Sequence, residues 1–127
     1  MTKAETYEKA WRLGWKSGDF SLVDQIYHPD YKAVDAYSGV EVNLEADKEV
    51  ALTLGDLLIG THPVVLLEDE NFLRIHRYNR HIGAEIFASA TTAIICKDGL
   101  IITQQTEVEE LDYDPSEGQD WNWEDYE

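Results

Sequence analysis

The sequence has few basic residues and no long apolar run, and each shortage excludes a class of protein. Lysine and arginine number 10 against 26 aspartates and glutamates, which gives a formal net charge of −16 at pH 7. Nucleic acids and anionic membrane surfaces are bound through basic faces, so we expect neither as a partner. The longest apolar stretch, residues 50–59, is interrupted by Gly55 and Asp56 and is too short to span a bilayer.

Cysteine is also scarce, and this indicates the redox state of the cellular compartment in which the protein is expected. A single cysteine excludes a disulfide within the chain and favours a reducing environment. Cys96 ends the apolar run Ala-Ile-Ile-Cys, so we interpret it as a small buried hydrophobe. The N-terminus is charged and amphipathic and has no apolar secretion segment. We therefore expect a cytoplasmic protein.

Aromatic residues, by contrast, are plentiful. The chain has 4 Trp, 7 Tyr and 3 Phe, and 43% of its 127 residues are hydrophobic. This composition is typical of one folded domain and not of a disordered chain.

The first half of the chain predicts three helices. Tyr7, Trp11 and Trp15 recur at helical spacing within residues 2–17 and make one aromatic face. A short second helix begins at Asp19 or Ser21 and stops before Pro29. A third runs from an Asn43 cap to about Leu58.

The second half predicts an antiparallel sheet. A short strand is expected at 32–36. Longer strands are expected at 64–68, 72–81, 85–96 and 100–111, with a hairpin turn at Lys97-Asp98-Gly99 between the last two. Helices followed by a meander of strands are typical of an α+β domain. After Leu111 the composition changes, so we expect residues 1–111 to form this domain. Residues 112–127 would be an acidic, aromatic extension packed on its own or a partner subunit.

The strand 72–81, Phe-Leu-Arg-Ile-His-Arg-Tyr-Asn-Arg-His, holds three of the four arginines and two of the four histidines. A period of two places Arg74, His76, Tyr78 and Arg80 on one face. If that face meets a pocket, these side chains offer a proton shuttle, a phenol donor and cations that could bind a carboxylate. If it faces outward, they form a polar dimer interface. The acids of the last strand, 107–110, are the expected counter-charges.

The order of these elements resembles the SnoaL-like branch of the nuclear transport factor 2-like superfamily. The resemblance rests on the aromatic helix ending in Gly18-Asp19, on Ile-Tyr-His-Pro-Asp-Tyr, on the strand with Asp35, and on the Lys-Asp-Gly-Leu-Ile turn. It implies a cone, a half-barrel in which three N-terminal helices pack on a strongly bent antiparallel sheet around a pocket. It also implies a homodimer through the outer sheet face. Members include isomerases, dehydratases, cyclases and non-catalytic association domains, so the fold alone assigns no reaction.

The resemblance also supplies a candidate base. Ketosteroid isomerases pair a carboxylate base with an oxyanion hole, and a tyrosine of their first helix precedes the Gly-Asp pair by seven residues; here Trp11 has that place. The position of the general-base aspartate in that family falls on Asp35. Instead of acting as a base, Asp35 could pair with Arg74 or Arg80 for structural reasons, or it could simply be exposed. No carboxylate lies near Thr91-Thr92 for a second oxyanion acid. A ketosteroid isomerase proper is therefore not expected.

Two functional hypotheses follow. The first is a cofactor-independent isomerase or lyase acting on a small, partly hydrophobic carbonyl compound. Asp35 or His76 would be its base, and Tyr78 or Trp11 would stabilise the oxyanion. The second is a non-catalytic ligand-binding or association module. The residues expected to contact the ligand are Trp11, Trp15, Arg74, Arg80 and Gln105, the last because related proteins place a pocket residue near Gln104 and Gln105. No metal-ligand spacing is present, so neither metal nor cofactor is expected.

Overall fold

The computed structural model describes residues 2–34 and 38–126, in which three N-terminal helices pack on one bent, unclosed sheet of seven strands. The predicted α+β cone is thereby confirmed. The helices are α1 Lys3–Ser17, α2 Ser21–Ile26 and α3 Leu44–Gly55. The strands are β1 Ala33–Val34, β2 Glu41–Val42, β3 Leu58–Gly60, β4 Val64–Glu68, β5 Phe72–His81, β6 Phe87–Lys97 and β7 Leu100–Leu111.

The strand order is β2-β1-β7-β6-β5-β3, and β4 pairs with the first half of β5. All pairs of named strands are antiparallel except β1 with β7, where Val34 pairs with Gln105 in parallel. The bounds of β4, β5 and β7 agree with the prediction. Asp98 and Gly99 both have positive φ, 55° and 81°, as a tight primed turn between β6 and β7 requires.

Helix α1 begins and ends at strong local signals. Thr2 accepts a hydrogen bond from the Glu5 backbone N–H, and the Glu5 carboxylate accepts one from Thr2 N–H, which makes a reciprocal capping box. Gly18 ends the helix with a left-handed φ of 72°. Gly14 lies against the Phe20 ring, where an added Cβ would come within 2.3 Å of it. That contact sets how closely α1 approaches α2.

Helix α3 is capped by Asn43 as predicted, but it is three residues shorter than expected. Residues Leu58–Gly60 leave the helix and form β3, which pairs with Asn79–His81 at the edge of β5. An added Cβ on Gly55 would lie 2.3 Å from the Trp15 ring, so the last residue of the helix packs directly on α1. Residues 58–60 therefore form backbone hydrogen bonds to β5 instead of continuing the helix that the local pattern predicts.

The core lies between the helices and the inner face of the sheet. Its most buried large side chains are below 2% exposed: Val23, Leu73, Ile75 and Ile94. Tyr7, Tyr27 and Tyr31 join them, and the rings of Tyr27 and Tyr31 meet edge to face. A cavity adjoins this core, and Tyr7 and Ala33 belong to both.

The segment after β7 packs on the outer face of this same chain. Its short 3-10 helix, Trp123–Tyr126, buries Trp123 against Phe87 and Ile59. The Trp123 indole Nε1 donates to Asp114 Oδ1 at 3.0 Å. No helix in the described part of the chain is long and apolar enough to cross a membrane.

Candidate functional site

A cavity of about 250 Å³ lies between the helices and the inner face of the sheet. Most of its wall is apolar, with Trp11 and Trp15 from α1, Leu54 from α3 and Val108 from β7. The polar and ionisable side chains at its wall are Tyr7, Asp47, Arg77, Asn79, Thr92, Gln104 and Thr106. A mainly apolar wall with a few polar groups is the usual composition of a small-molecule site.

The pleat of β5 decides which residues reach this cavity. Leu73 and Ile75 are buried in the core, so the odd-numbered positions point inward, and Arg77 and Asn79 follow them into the cavity wall. The even-numbered positions lie on the opposite face. Arg74, His76, Tyr78 and Arg80 therefore do not line this cavity, contrary to the pocket alternative, and Arg74 and Tyr78 border separate depressions on the outer face.

The outer face of β5 holds these side chains in other contacts. His76 Nε2 lies 2.6 Å from Ser89 Oγ, and burial lowers the His76 pKa below 6.5. Tyr78 stacks on Trp121 of the C-terminal segment. The Arg80 Nε donates to the Ala84 carbonyl at 3.4 Å, and Arg74 is exposed.

The same alternation corrects the glutamine prediction on β7. Gln104 lies at the cavity, whereas Gln105 is exposed on the outer face beside Arg74 and Glu107. Trp11 and Trp15 both line the cavity. Asp35, the candidate base, lies outside the described residues.

Arg77 is held by an acid that sequence reasoning did not select. Glu8 Oε2 accepts from Arg77 Nη2 at 3.0 Å, while Glu8 Oε1 accepts from Arg12 at 2.5 Å and lies 3.3 Å from His62 Nδ1. Burial alone would raise the Glu8 pKa, but the charges of Arg77 and then Arg12 lower it below 4.5. Within the described residues, none of the β5 arginines makes a salt bridge to the predicted partners on β7, and β6 lies between these two strands.

Opposite the sheet, Asp47 of α3 contributes a carboxylate. The Tyr31 hydroxyl donates to Asp47 Oδ2 at 2.8 Å. Burial first, and then the Asp47 charge, raise the Tyr31 pKa well above 10.0. The tyrosine therefore keeps its proton and orients the carboxylate as a neutral donor.

A chain of hydrogen bonds crosses from α1 to β7. Trp11 Nε1 donates to the Tyr27 hydroxyl at 2.8 Å, and that hydroxyl donates to Gln104 Oε1 at 2.6 Å. Burial raises the Tyr7 pKa to about 12, so this phenol is also neutral at physiological pH.

One polar atom of the cavity wall is unpaired. Asn79 Oδ1 is buried and has no hydrogen-bond partner in the described part of the chain. It lies close to Gly60, where an added Cβ would be 3.1 Å from it. A buried acceptor without a donor costs about 1–3 kcal/mol, which is the kind of cost that binding sites carry.

Sequence reasoning missed Tyr7, Asp47 and Arg77 as site residues, although Asp47 left a signal. Asp47 shares a helical face with Val50, Ala51 and Leu54 at spacings of three, four and seven, all of which line the cavity. Among residues 2–34 and 38–126, no group of three or more His, Cys, Asp or Glu side chains could hold a metal ion.

Comparisons with known proteins identify the fold through solved structures. No family model matches the chain. No curated protein matches it by sequence. Solved structures do match. IdmH of Streptomyces antibioticus, a candidate polyketide cyclase, aligns with a TM-score of 0.61 at 12% identity over 85% of this chain and 93% of its own.

Two further structures agree. A candidate isomerase of the SnoaL-like family from Agrobacterium tumefaciens gives a TM-score of 0.60 at 18% identity, covering 84% of this chain and 93% of that one. An NTF2-like protein of unknown function from Cytophaga hutchinsonii gives 0.63 at 17% identity, covering 85% and 100%. The resemblance drawn from the sequence is confirmed, and the chain has the fold of the SnoaL-like, nuclear transport factor 2-like superfamily.

Proposed function

We propose that the chain binds a small, largely apolar organic molecule that carries a polar oxygen group, in the cavity between α1, α3 and the inner sheet face. The observation that carries this proposal is the composition of the cavity wall. Indole and aliphatic side chains supply most of it, while Arg77, Gln104 and Asp47 supply a few fixed polar groups. The named functions of the structural neighbours, cyclase and isomerase, agree with such a ligand.

The four tryptophans allow a direct test. Trp11 and Trp15 line the cavity, whereas Trp121 and Trp123 belong to the cluster on the outer face. We expect 2-acetylnaphthalene, titrated into ¹⁵N-labelled protein, to shift the indole N–H signals of Trp11 and Trp15. The signals of Trp121 and Trp123 should stay in place. Shifts confined to the outer pair, or no shifts, would refute binding in the cavity.

A pair of variants on α3 tests the location independently. Ala51 lines the cavity, and its neighbour Leu52 is 46% exposed. Ala51→Phe should fill the cavity and abolish the shifts of Trp11 and Trp15. Leu52→Phe should leave them unchanged, because its side chain lies outside the cavity.

A second candidate function is proton transfer next to a carbonyl group, the chemistry of a cofactor-independent isomerase or lyase. It is favoured by the carboxylate that Asp47 places at an apolar cavity with a phenol, Tyr7, at the same wall. The carboxylate would remove an α-proton, the C–H electron pair would become the C=C bond of an enolate, and a donor would stabilise the oxygen. Reprotonation at carbon completes the cycle.

Exchange in D₂O tests this step. The methyl signal of 2-acetylnaphthalene in the ¹H NMR spectrum should disappear faster with the protein than with buffer alone. Asp47→Asn should abolish the acceleration, and Asp35→Asn should be measured beside it because the sequence offers Asp35 as an alternative base. Binding without accelerated exchange would favour the non-catalytic binding module.

A further inference from the structure

Two guanidinium groups, those of Arg12 and Arg77, share one carboxylate beside the cavity. Glu8 accepts a hydrogen bond from each, and all three side chains are largely buried, between 14% and 19% exposed. His62, which also contacts Glu8, adds positive charge when it is protonated. One negative charge cannot neutralise two largely buried cations, so this cluster carries a net positive charge.

The protein supplies further contacts to Arg12 but not to Arg77. Arg12 Nη2 also donates to the Gly60 carbonyl at 3.2 Å. Within the described part of the chain, the Arg77 side chain makes no hydrogen bond besides the one from Nη2 to Glu8. Its other N–H groups are not sealed in the core, because Asn79 Oδ1 is the one fully buried side-chain polar atom without a partner there. A guanidinium has five N–H donors, so most of those of Arg77 are available.

These donors are next to the cavity, since Arg77 lines its wall on the sheet side. The acid on the helix side is Asp47, whose carboxylate already accepts from the Tyr31 hydroxyl at 2.8 Å. At Tyr7, which also lines the cavity, burial raises the phenol pKa to about 12. The Arg77 charge lowers that pKa more than either Asp47 or Glu8 raises it. The sheet side of the cavity therefore attracts an anionic group of a ligand.

We propose that Arg77 binds the carboxylate of a largely apolar organic acid, whose apolar body lies against the rest of the cavity wall. The planar guanidinium matches the two oxygens of a carboxylate, and the pair forms charge-assisted hydrogen bonds. This inference rests on the proposed function, since it names the chemical group of the ligand that binds there. Arg77 takes the role that the sequence assigned to Arg74 and Arg80, which do not line the cavity.

Two ligands of the same shape separate this inference from the proposed function. 2-Naphthoate has a carboxylate oxygen where 2-acetylnaphthalene has a methyl group, and it is ionised at pH 7. We expect 2-naphthoate to bind about tenfold more tightly, the worth of a charge-assisted hydrogen bond. Both affinities are measured from the indole shifts of Trp11 and Trp15. Salt at about 0.15 M screens the exposed acids that lie more than about 8 Å away.

A pair of variants on β5 tests whether Arg77 is responsible. Arg77→Gln should remove the preference by weakening 2-naphthoate, because the amide keeps a polar group but carries no charge. Glu8 keeps its bond to Arg12 in this variant, so its charge stays paired. Arg74→Gln makes the same change of charge on the outer face of the same strand, where Arg74 is exposed, and should leave the preference intact.

The two proposals fail on different results. If neither ligand shifts the Trp11 and Trp15 signals, the proposed function fails. If 2-acetylnaphthalene binds in the cavity and 2-naphthoate binds no more tightly, this inference is overturned and the proposed function stands. That comparison uses only the unsubstituted protein, so it decides the matter even if Arg77→Gln does not fold. A preference that survives Arg77→Gln, or that Arg74→Gln also removes, would overturn the inference as well.

Discussion

The inner and outer faces of β5 carry similar residue types, yet they meet different surroundings. On the inner face Arg77 is 15% exposed at its side chain and is bound by Glu8. On the outer face Arg74 is exposed, and no salt bridge to it occurs within the described residues. The outer face is itself divided: its second half, at Tyr78, is covered by Trp121 and the rest of the C-terminal segment, while its first half, at Arg74, is bare. The inner arginine, Arg77, is therefore paired within the fold, whereas the outer arginine, Arg74, is exposed and could contact another molecule.

The largest expected effect tests the covered half of the outer face. Trp123 is 3% exposed and packs on Phe87. Trp123→Ala should lower the free energy of unfolding by about 3–5 kcal/mol, the usual cost of removing a buried indole. Tyr113→Ala is the control, because Tyr113 is 55% exposed and should change stability by less than about 1 kcal/mol. Urea unfolding measures both, and a loss for Trp123→Ala of less than about 1 kcal/mol would show that the buried indole does not stabilise the fold.

The inner face is tested next through Glu8. Glu8→Gln removes the negative charge between Arg12 and Arg77, whose side chains are 19% and 15% exposed. Since an unpaired, largely buried cation is costly, we expect a loss of about 3 kcal/mol. Arg74→Ala on the outer face should cost less than about 0.5 kcal/mol. A small loss for Glu8→Gln would mean that solvent, and not Glu8, stabilises the arginines.

The same pair predicts a pH dependence. The folded-state pKa of Glu8 lies below 4.5, so folding favours the ionised form. The stability that Glu8 contributes is complete above its unfolded value and is lost as the pH falls through the folded-state pKa. The difference in unfolding free energy between the unsubstituted protein and Glu8→Gln should therefore shrink as the pH is lowered below about 4.5. A difference that is constant from pH 7 to pH 3 would contradict this assignment.

The two faces of β5 also show which features of the structure could be predicted from the sequence and which could not. The helical spacing of Tyr7, Trp11 and Trp15 and the turn at Asp98-Gly99 are local signals, and they predicted the fold. The inward face of β5 is different, because arginine and asparagine occur at positions where core strands carry apolar residues. Only the packing of Leu73 and Ile75 under the helices reveals which face is inner, and the partner of Arg77 lies 69 residues away on α1. No local pattern contains that contact.

Asn79 offers a smaller test of the inner face. Its Oδ1 is buried without a partner in the described part of the chain, so Asn79→Leu, which is similar in volume and has no polar atoms, should raise the free energy of unfolding by about 1 kcal/mol. Asn71→Leu is the control, because Asn71 is exposed and should bring no such gain. If Asn79 serves the ligand, the same variant should bind 2-acetylnaphthalene more weakly while being more stable. A destabilised variant would show that the amide has a structural role.

The last expected effect concerns association through the bare half of the outer face. A shallow groove there has Arg74 on β5 at one side and the exposed Glu107 on β7 at the other. A twofold axis through such a patch sets unlike charges opposite each other, so we expect a homodimer, with a native mass twice the chain mass of 14.6 kDa. Arg74→Glu should weaken the dimer by about tenfold at low salt, and adding Glu107→Arg to the same chain should restore it. A monomer mass for the unsubstituted protein, or a double variant no better than the single one, would contradict pairing of these two strands across the interface.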